Sequence, residues 1–282
     1  MTLLAHAAVR RLRGHPIACV AGGVLLFLIL LAILGPWISR NNPVVVDWQH
    51  IAAPPGLAHA HWFGTDRVGR DLFARTFEGA RVSLAVGFIA TLVSVLIGVG
   101  YGATAGYVGG RTDQFMMRFI EILSGLPLVF FVIFVNVIFG RSEAMVFLCI
   151  GAFGWLTMAR IVRGQTLSIR RQDYIEAAIA GGADTRRILL RHVIPNVLGP
   201  VVVYATLSVP QIMLFESFLS FLGLGIQEPG ASLGTLVYEG AREMEAAPWM
   251  LLIPGGLLAL LLLSLNLFGD GLRDALDVRE AL

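Results

Sequence analysis

The sequence predicts an all-α polytopic membrane protein with six transmembrane helices and both termini inside. Three observations carry that expectation. The 282 residues are 56% hydrophobic and 14% charged, with a mean hydropathy of +0.77. A soluble globule cannot bury that much apolar surface, so lipid must cover much of it. Six apolar stretches reach the roughly 20 residues that a helix needs to cross about 30 Å of hydrocarbon. The arginines, finally, are shared unevenly between the segments that join those stretches.

In chain order, residues 1–15 form a cytoplasmic N-terminus whose Arg10, Arg11 and Arg13 precede the first span, 16–38. Its apolar part is too long for a signal peptide and no small-residue cleavage pattern follows, so it is expected to remain as an anchor. An external loop occupies 39–81. A five-helix core covers 82–268, with spans at 82–106, 115–139, 144–161, 197–222 and 248–268 and a cytoplasmic loop at 162–196. Residues 269–282 form a cytoplasmic tail. With the N-terminus inside, fourteen arginines fall on the cytoplasmic side and seven outside, which favours N-in and C-in.

All 21 basic residues are arginine. A Walker A loop needs a lysine to reach the β- and γ-phosphates, so this chain carries no such nucleotide site, and Schiff-base lysine chemistry is excluded too. Cys19 and Cys149 lie in apolar runs without metal-ligand spacing and read as small buried hydrophobes. Neither a cofactor nor a metal is expected in the chain.

The external loop opens on turn-prone Asn41, Asn42, Pro43, Pro54 and Pro55 and tightens at 61–71. Across the 39–81 loop Arg67, Arg70, Arg75 and Arg81 interleave with Asp66, Asp71 and Glu78, the mark of a folded, internally paired segment. Trp48 and Trp62 suit a membrane interface. The loop is either an interfacial lid or a binding surface for an external partner, with Trp62, Asp66, Arg70 and Asp71 as its contacts.

The cytoplasmic loop is too patterned to be a passive linker. Tyr174, Ala177, Ala178 and Gly181 line one face at helical spacing, and the alanines let another backbone approach. Gly182 supplies a positive-φ stop. Asp184 or Thr185 then caps a second helix, 186–192, expected to end as Pro195 approaches. Helices this short are marginal alone in water. The pair must pack on its own protein, on another subunit or on headgroups.

Ionisable groups inside spans are costly and so point to function. Arg118 and Glu121, three apart in the third span, form either an internal ion pair or part of a path. Glu216, late in the fifth, faces the path or the external interface. Pro127, Pro200, Pro210 and Pro254 mark kinks or unwound turns, with Pro127 a candidate gate. Gly98, Gly102 and Gly106 recur every fourth residue, which reads as close helix packing.

At the cytoplasmic loop the chain resembles a known family. Glu176-Ala177-Ala178, three residues, Gly182, then Ile194-Pro195 is similar to the EAA loop of permease subunits in binding-protein-dependent ABC importers. His192 departs from the aliphatic residue usual there, and Ile194 replaces leucine. Residues 63–73 with 79–84, 109–113, 158–168, 216–225 and 269–277 look like the C-type permeases of the peptide and nickel group, the oligopeptide branch in particular. Val278 replaces a usual proline and Leu233 a frequent tryptophan.

The resemblance implies a type I ABC importer permease fold in the bacterial cytoplasmic (inner) membrane, with the EAA loop supplying coupling helices. It implies ATPase coupling through Tyr174, Glu176, Ala177, Ala178, Gly182, Arg186, Arg187 and Pro195. The implied partners are a sister permease in a heterodimer, two ABC ATPase subunits that bind ATP and Mg, and an extracytoplasmic peptide-binding protein. Oligopeptides or dipeptides are the implied cargo, with nickel or another small solute as the alternative within the family. No nucleic acid is implied. An ion-coupled secondary transporter would share the span count but would not need this two-helix loop. An intramembrane hydrolase needs a nucleophile and base within reach of each other, yet all six histidines lie outside the spans and no His-Glu-x-x-His occurs.

Overall fold

A computed structural model describes residues 11, 14–39, 41–56, 61–140 and 143–276. Arg10, Arg13, Arg40, Arg141, Arg279, His6, His59, Asp277 and Val278 lie outside the described residues. Among the described residues five helices are long and apolar enough to cross a membrane, six if a bent pair is counted as one span. Helix α1 (Pro16–Ile38) has its expected bounds and starts on a proline, where a missing N–H costs nothing. Ala18, Ala21, Leu25, Leu28 and Ala32 recur at alternating three- and four-residue steps and form its buried stripe. Its outer face is equally apolar, as lipid demands.

Helix α2 (Leu72–Val108) starts ten residues before the expected span, because Asp71 caps it by accepting the Ala74 N–H at 2.7 Å. Its 37 residues extend about 55 Å, well beyond the hydrocarbon, and it is the spine of the fold. One buried apolar cluster joins its Ala80 and Leu84 to α1 and to Val209, Met213, Leu233, Leu261 and Leu265; a second joins Val99 and Ala103 to Met158, Val162, Ile175, Ile188, Val193 and Val197; a third joins Val86 and Ala90 to Val132, Cys149, Ile150, Ile212 and Leu219. The glycine stripe works as close packing. A Cβ at Gly98 would meet Met158, one at Gly102 the Ala159 carbonyl, and one at Gly106 Thr166.

The expected third span is not one helix. It divides into α3 (Gly110–Ser124) and α4 (Leu128–Phe139), bent by 79°. Proline disfavours helical backbone in the residue before it, so Leu126 leaves the helix and Pro127 restarts it as the N-cap of α4. Helix α5 (Glu143–Ile169) runs eight residues beyond its expected end. The elbow helices α6 (Asp173–Ala180) and α7 (Thr185–Ile188) follow, then a π-helical turn at Leu189–Val193, then α8 (Ile194–Phe221).

The chain therefore does not stop at Pro195. The Ile194 N–H reaches back to the Leu189 carbonyl, and the resulting change of register puts Pro195 in the first turn of α8, where no N–H is required. Helix α9 (Leu233–Arg242) was not expected; Ser232 and Thr235 cap it reciprocally. Helix α10 (Trp249–Leu276) completes the bundle.

Candidate functional site

The elbow is pinned from inside and open outside. Ile175 of α6, Ile188 of α7, Val193 of the π turn and Val197 of α8 are fully buried against Val99 and Ala103 of α2 and Met158 and Val162 of α5. Each buried aliphatic side chain contributes about 1.5–3 kcal/mol, which supplies what helices of eight and four residues lack alone. Between them the chain turns through a Schellman closure. The Ala183 N–H bonds the Ala178 carbonyl at 3.0 Å and the Gly182 N–H the Ile179 carbonyl at 2.9 Å, with Gly182 at φ 80°. Asp184 then caps α7 by accepting the Arg187 N–H at 3.1 Å.

On the outer side Glu176, Ala177, Gly182, Arg186, Arg187 and Pro195 are exposed, with Tyr174 near half exposed and Ala178 partly buried. Ile179 and Leu190 add exposed apolar surface, 53% and 57%. Among the described residues no ion pair reaches Glu176, Arg186, Arg187 or Arg191. The base below is braced by Arg163, which holds Asp113 of α3 with two bonds of 2.5 Å, and by Arg170 stacked over Tyr107.

Residues 41–56 and 61–71 form a cap at the opposite end of α2, and the charges of Asp66, Arg70 and Asp71 are spent internally. Asp66 pairs with Arg70 and Arg75; Arg75 also holds Glu239 of α9 at 2.8 Å, and Arg70 reaches Glu228 at 3.4 Å. Burial alone would raise the Asp66 carboxyl, but the Arg75 charge, the Arg70 and Val68 N–H groups and the Arg70 charge outweigh it and hold it below the ordinary 3.8. Asp71 accepts from Asn41 and Ala74 and pairs with His61 at 2.7 Å. Hydrogen bonds from the His50 side chain and the Gln49 N–H bring the nearby Asp47 down to about 2.

These contacts correct one expectation. Asp66, Arg70 and Asp71 are buried and cannot present their charges to an external partner. Trp62 remains at the surface, 41% exposed and edge-on to Phe73. The acidic partners of Arg70 and Arg75 outside the loop, Glu228 and Glu239, lie more than 150 residues away in sequence, so no local pattern reveals them.

The in-span residues divide as well. Arg118 and Glu121 do form their pair, at 3.1 Å, but on a face turned out of the chain. Pro127 stands at the break between α3 and α4. Glu216 faces neither path nor external interface. It is fully buried, and the Ser83 and Ser220 hydroxyls donate to it at 3.0 and 2.7 Å. Ser83 in turn accepts the Leu233 N–H, so the carboxylate latches α2 and α8 to the start of α9.

Residues 96–281 match the family of binding-protein-dependent transport system inner membrane components, and residues 4–55 match the N-terminal transmembrane domain of oligopeptide transport permease C. The chain belongs to the first family and is a multi-pass inner-membrane permease subunit. Its likeness within the family is to C-type oligopeptide permeases. It is 50% identical over 273 residues to the oligopeptide transport system permease protein OppC of Haemophilus influenzae, covering 97% of this chain and 88% of that one. It is 51% identical over 272 residues to OppC of Escherichia coli K12, covering 96% and 90%. To the dipeptide transport system permease protein DppC of Bacillus subtilis it is 44% identical over 269 residues, covering 95% and 83%.

The fold matches a chain of the MetNI methionine ABC transporter in inward-facing conformations, with TM-score 0.57 over 72% of this chain and 96% of that one, at 22% identity. Family membership decides against both the ion-coupled transporter and the intramembrane hydrolase.

Proposed function

We infer that this chain is the membrane-spanning permease subunit of an ATP-driven importer that takes up oligopeptides or dipeptides, and that its elbow is where partner ATPases couple to transport. The observation that carries the coupling role is the division of the elbow into a buried seam and an outer face of Glu176, Ala177, Arg186 and Arg187 that makes no ion pair among the described residues. Identity of 44–51% to oligopeptide and dipeptide permeases supports the cargo.

The residues then take these roles. Ala177 and Ala178 allow close approach of a partner, while Glu176 and the arginines fix orientation and specificity. Nucleotide is bound and hydrolysed in separate ATPase subunits with Mg. Its binding energy acts only through the difference it makes between two global states of the transporter. The seam of Ile175, Ile188, Val193 and Val197 passes displacement of the elbow to α2, α5 and α8 as a packed unit.

N-in and C-in orientation puts the elbow on the cytoplasmic side and the cap outside, in line with the arginine count. There the exposed Trp62 and Trp48 are available to the binding protein that delivers peptide. The outward-facing Arg118 and Glu121 and the break at Pro127 belong to the face that meets a sister permease across the path.

Glu176→Ala tests the coupling role in vesicles holding the whole transporter. Peptide uptake is expected to fall at least tenfold while the permease remains folded and inserted. Uptake at the parental rate would contradict the role given to the elbow.

A further inference from the structure

The cap holds a cluster that the transport reading leaves unused. One oxygen of Asp47 and one ring nitrogen each of His50 and His61 lie within 4.8 Å of one another. His50 Nδ1 is 2.8 Å from Asp47 Oδ2, and His61 Nε2 is 3.5 Å from the same oxygen. We propose that Asp47, His50 and His61 form a binding site for a divalent metal ion of the Zn2+ class, oriented from behind by Asp71.

The hydrogen bonds around His61 carry the argument. Asp71 is an acceptor only, already satisfied by Asn41 and Ala74, so His61 Nδ1, 2.7 Å from it, is the nitrogen that bears the proton. In the neutral ring Nε2 then holds a lone pair, and the fold aims that lone pair at a carboxylate oxygen. Two acceptors facing each other need a cation between them, either a metal ion or a second proton on His61 Nε2, and the spacing favours the metal. The 3.5 Å gap is long for a hydrogen bond between charged groups, which close to about 2.7–2.9 Å. It suits two ligands on one tetrahedral ion, roughly 3.4 Å apart for metal bonds of about 2.0–2.1 Å.

The surroundings are those of a built site. A carboxylate behind a ligating imidazole fixes its tautomer and raises its basicity. Asp47 is held by its backbone: its N–H bonds the Gly69 carbonyl at 2.9 Å, and a side chain at Gly69 would collide with the Asp47 carbonyl. His50 Nδ1, which donates to Asp47 at 2.8 Å, becomes a ligand when its proton moves to Nε2 and that pair opens to ligand spacing. A cavity of about 520 Å3, bordered by Trp48 and Gln49, leaves room for water in a fourth position. Two imidazoles and one carboxylate suit Zn2+ among the common divalent ions. Such an ion would tie the 47–50 turn and His61 to the N-terminal cap of α2, a role independent of the import reading.

Co2+ serves as the spectroscopic probe, titrated into the tag-free, chelator-treated full chain extracted with its copurifying subunits. The wild type is expected to show visible bands of tetrahedral Co2+ at one ion per chain, abolished by Zn2+ and absent from His50→Ala, whose changed side chain lies at the rim of the cap. Asp71→Asn keeps a helix-capping side chain but loses the carboxylate behind His61, and is expected to weaken Co2+ about 10–100-fold. Wild-type and His50→Ala spectra that coincide, or no tetrahedral bands with Co2+ in excess, would overturn the proposal and leave a protonated His61 as the bridging group. Failure here would leave peptide uptake unaffected, and failure of the uptake test would leave the cobalt spectrum unaffected.

Discussion

The cap and the elbow sit at opposite ends of one 37-residue helix and use charge in opposite ways. In the cap, Arg70 and Arg75 are buried among Asp66, Glu228 and Glu239, so their charge is consumed in holding the 61–75 stretch to α9. In the elbow, Glu176, Arg186 and Arg187 stand in the open above a seam of aliphatic side chains. A charge paired inside its own chain supports a fold. A charge displayed above an apolar seam is available to another protein.

Substitutions sharpen the contrast, starting with the strongest. Arg75→Ala leaves the partly buried Glu239 without its counter-ion and Asp66 with Arg70 alone and should cost about 3–5 kcal/mol, read as a lower unfolding midpoint in detergent and less protein in the membrane. Gly102→Ala, whose Cβ would meet the Ala159 carbonyl, should cost about 1–3 kcal/mol through overpacking. Gly100→Ala in the same helix meets nothing within 4 Å and should be neutral or gain up to about 1 kcal/mol. Equal effects at the two glycines would contradict the packing described for α2 and α5.

Acid weakens the cap next. The Asp66 carboxyl is lowered in the fold, so its stabilisation is complete above its ordinary 3.8 and disappears as pH falls from there through the depressed value. The stability gap between wild type and Asp66→Asn should hold from neutrality down to about that pH and narrow below it. A gap that narrows already near neutral pH would show that the Asp66 charge is not what the fold uses. The smallest change in stability belongs to the elbow: Glu176→Ala should stay within about 0.5 kcal/mol of wild type, even though uptake collapses.

Much of the membrane architecture is legible from composition and periodicity. The bounds of α1, the positive-φ turn at Gly182, the cap at Asp184 and the glycine stripe each depend on neighbours within a few residues. What escapes depends on remote or directional information. Hydropathy through 115–139 is continuous whether the chain runs straight or bends by 79°, so only Pro127 hinted at the break. Pro195 read as a stop because a π turn cannot be seen in residue types. The interleaved charges of the external loop announce internal pairing, but the reach of Arg70 and Arg75 to Glu228 and Glu239 depends on residues far along the chain. Glu216 stood out as a carboxylate in a span; that it meets Ser83 and the start of α9 was invisible without the fold.

Site-specific cross-linking tests the coupling role most directly. A photoreactive residue at Ala177, on the open face, is expected to capture an ATPase subunit in the assembled transporter, and the same probe at the buried Ile175 is not. Capture of lipid or of this chain alone from Ala177, in an assembly that still binds ATP, would contradict the account.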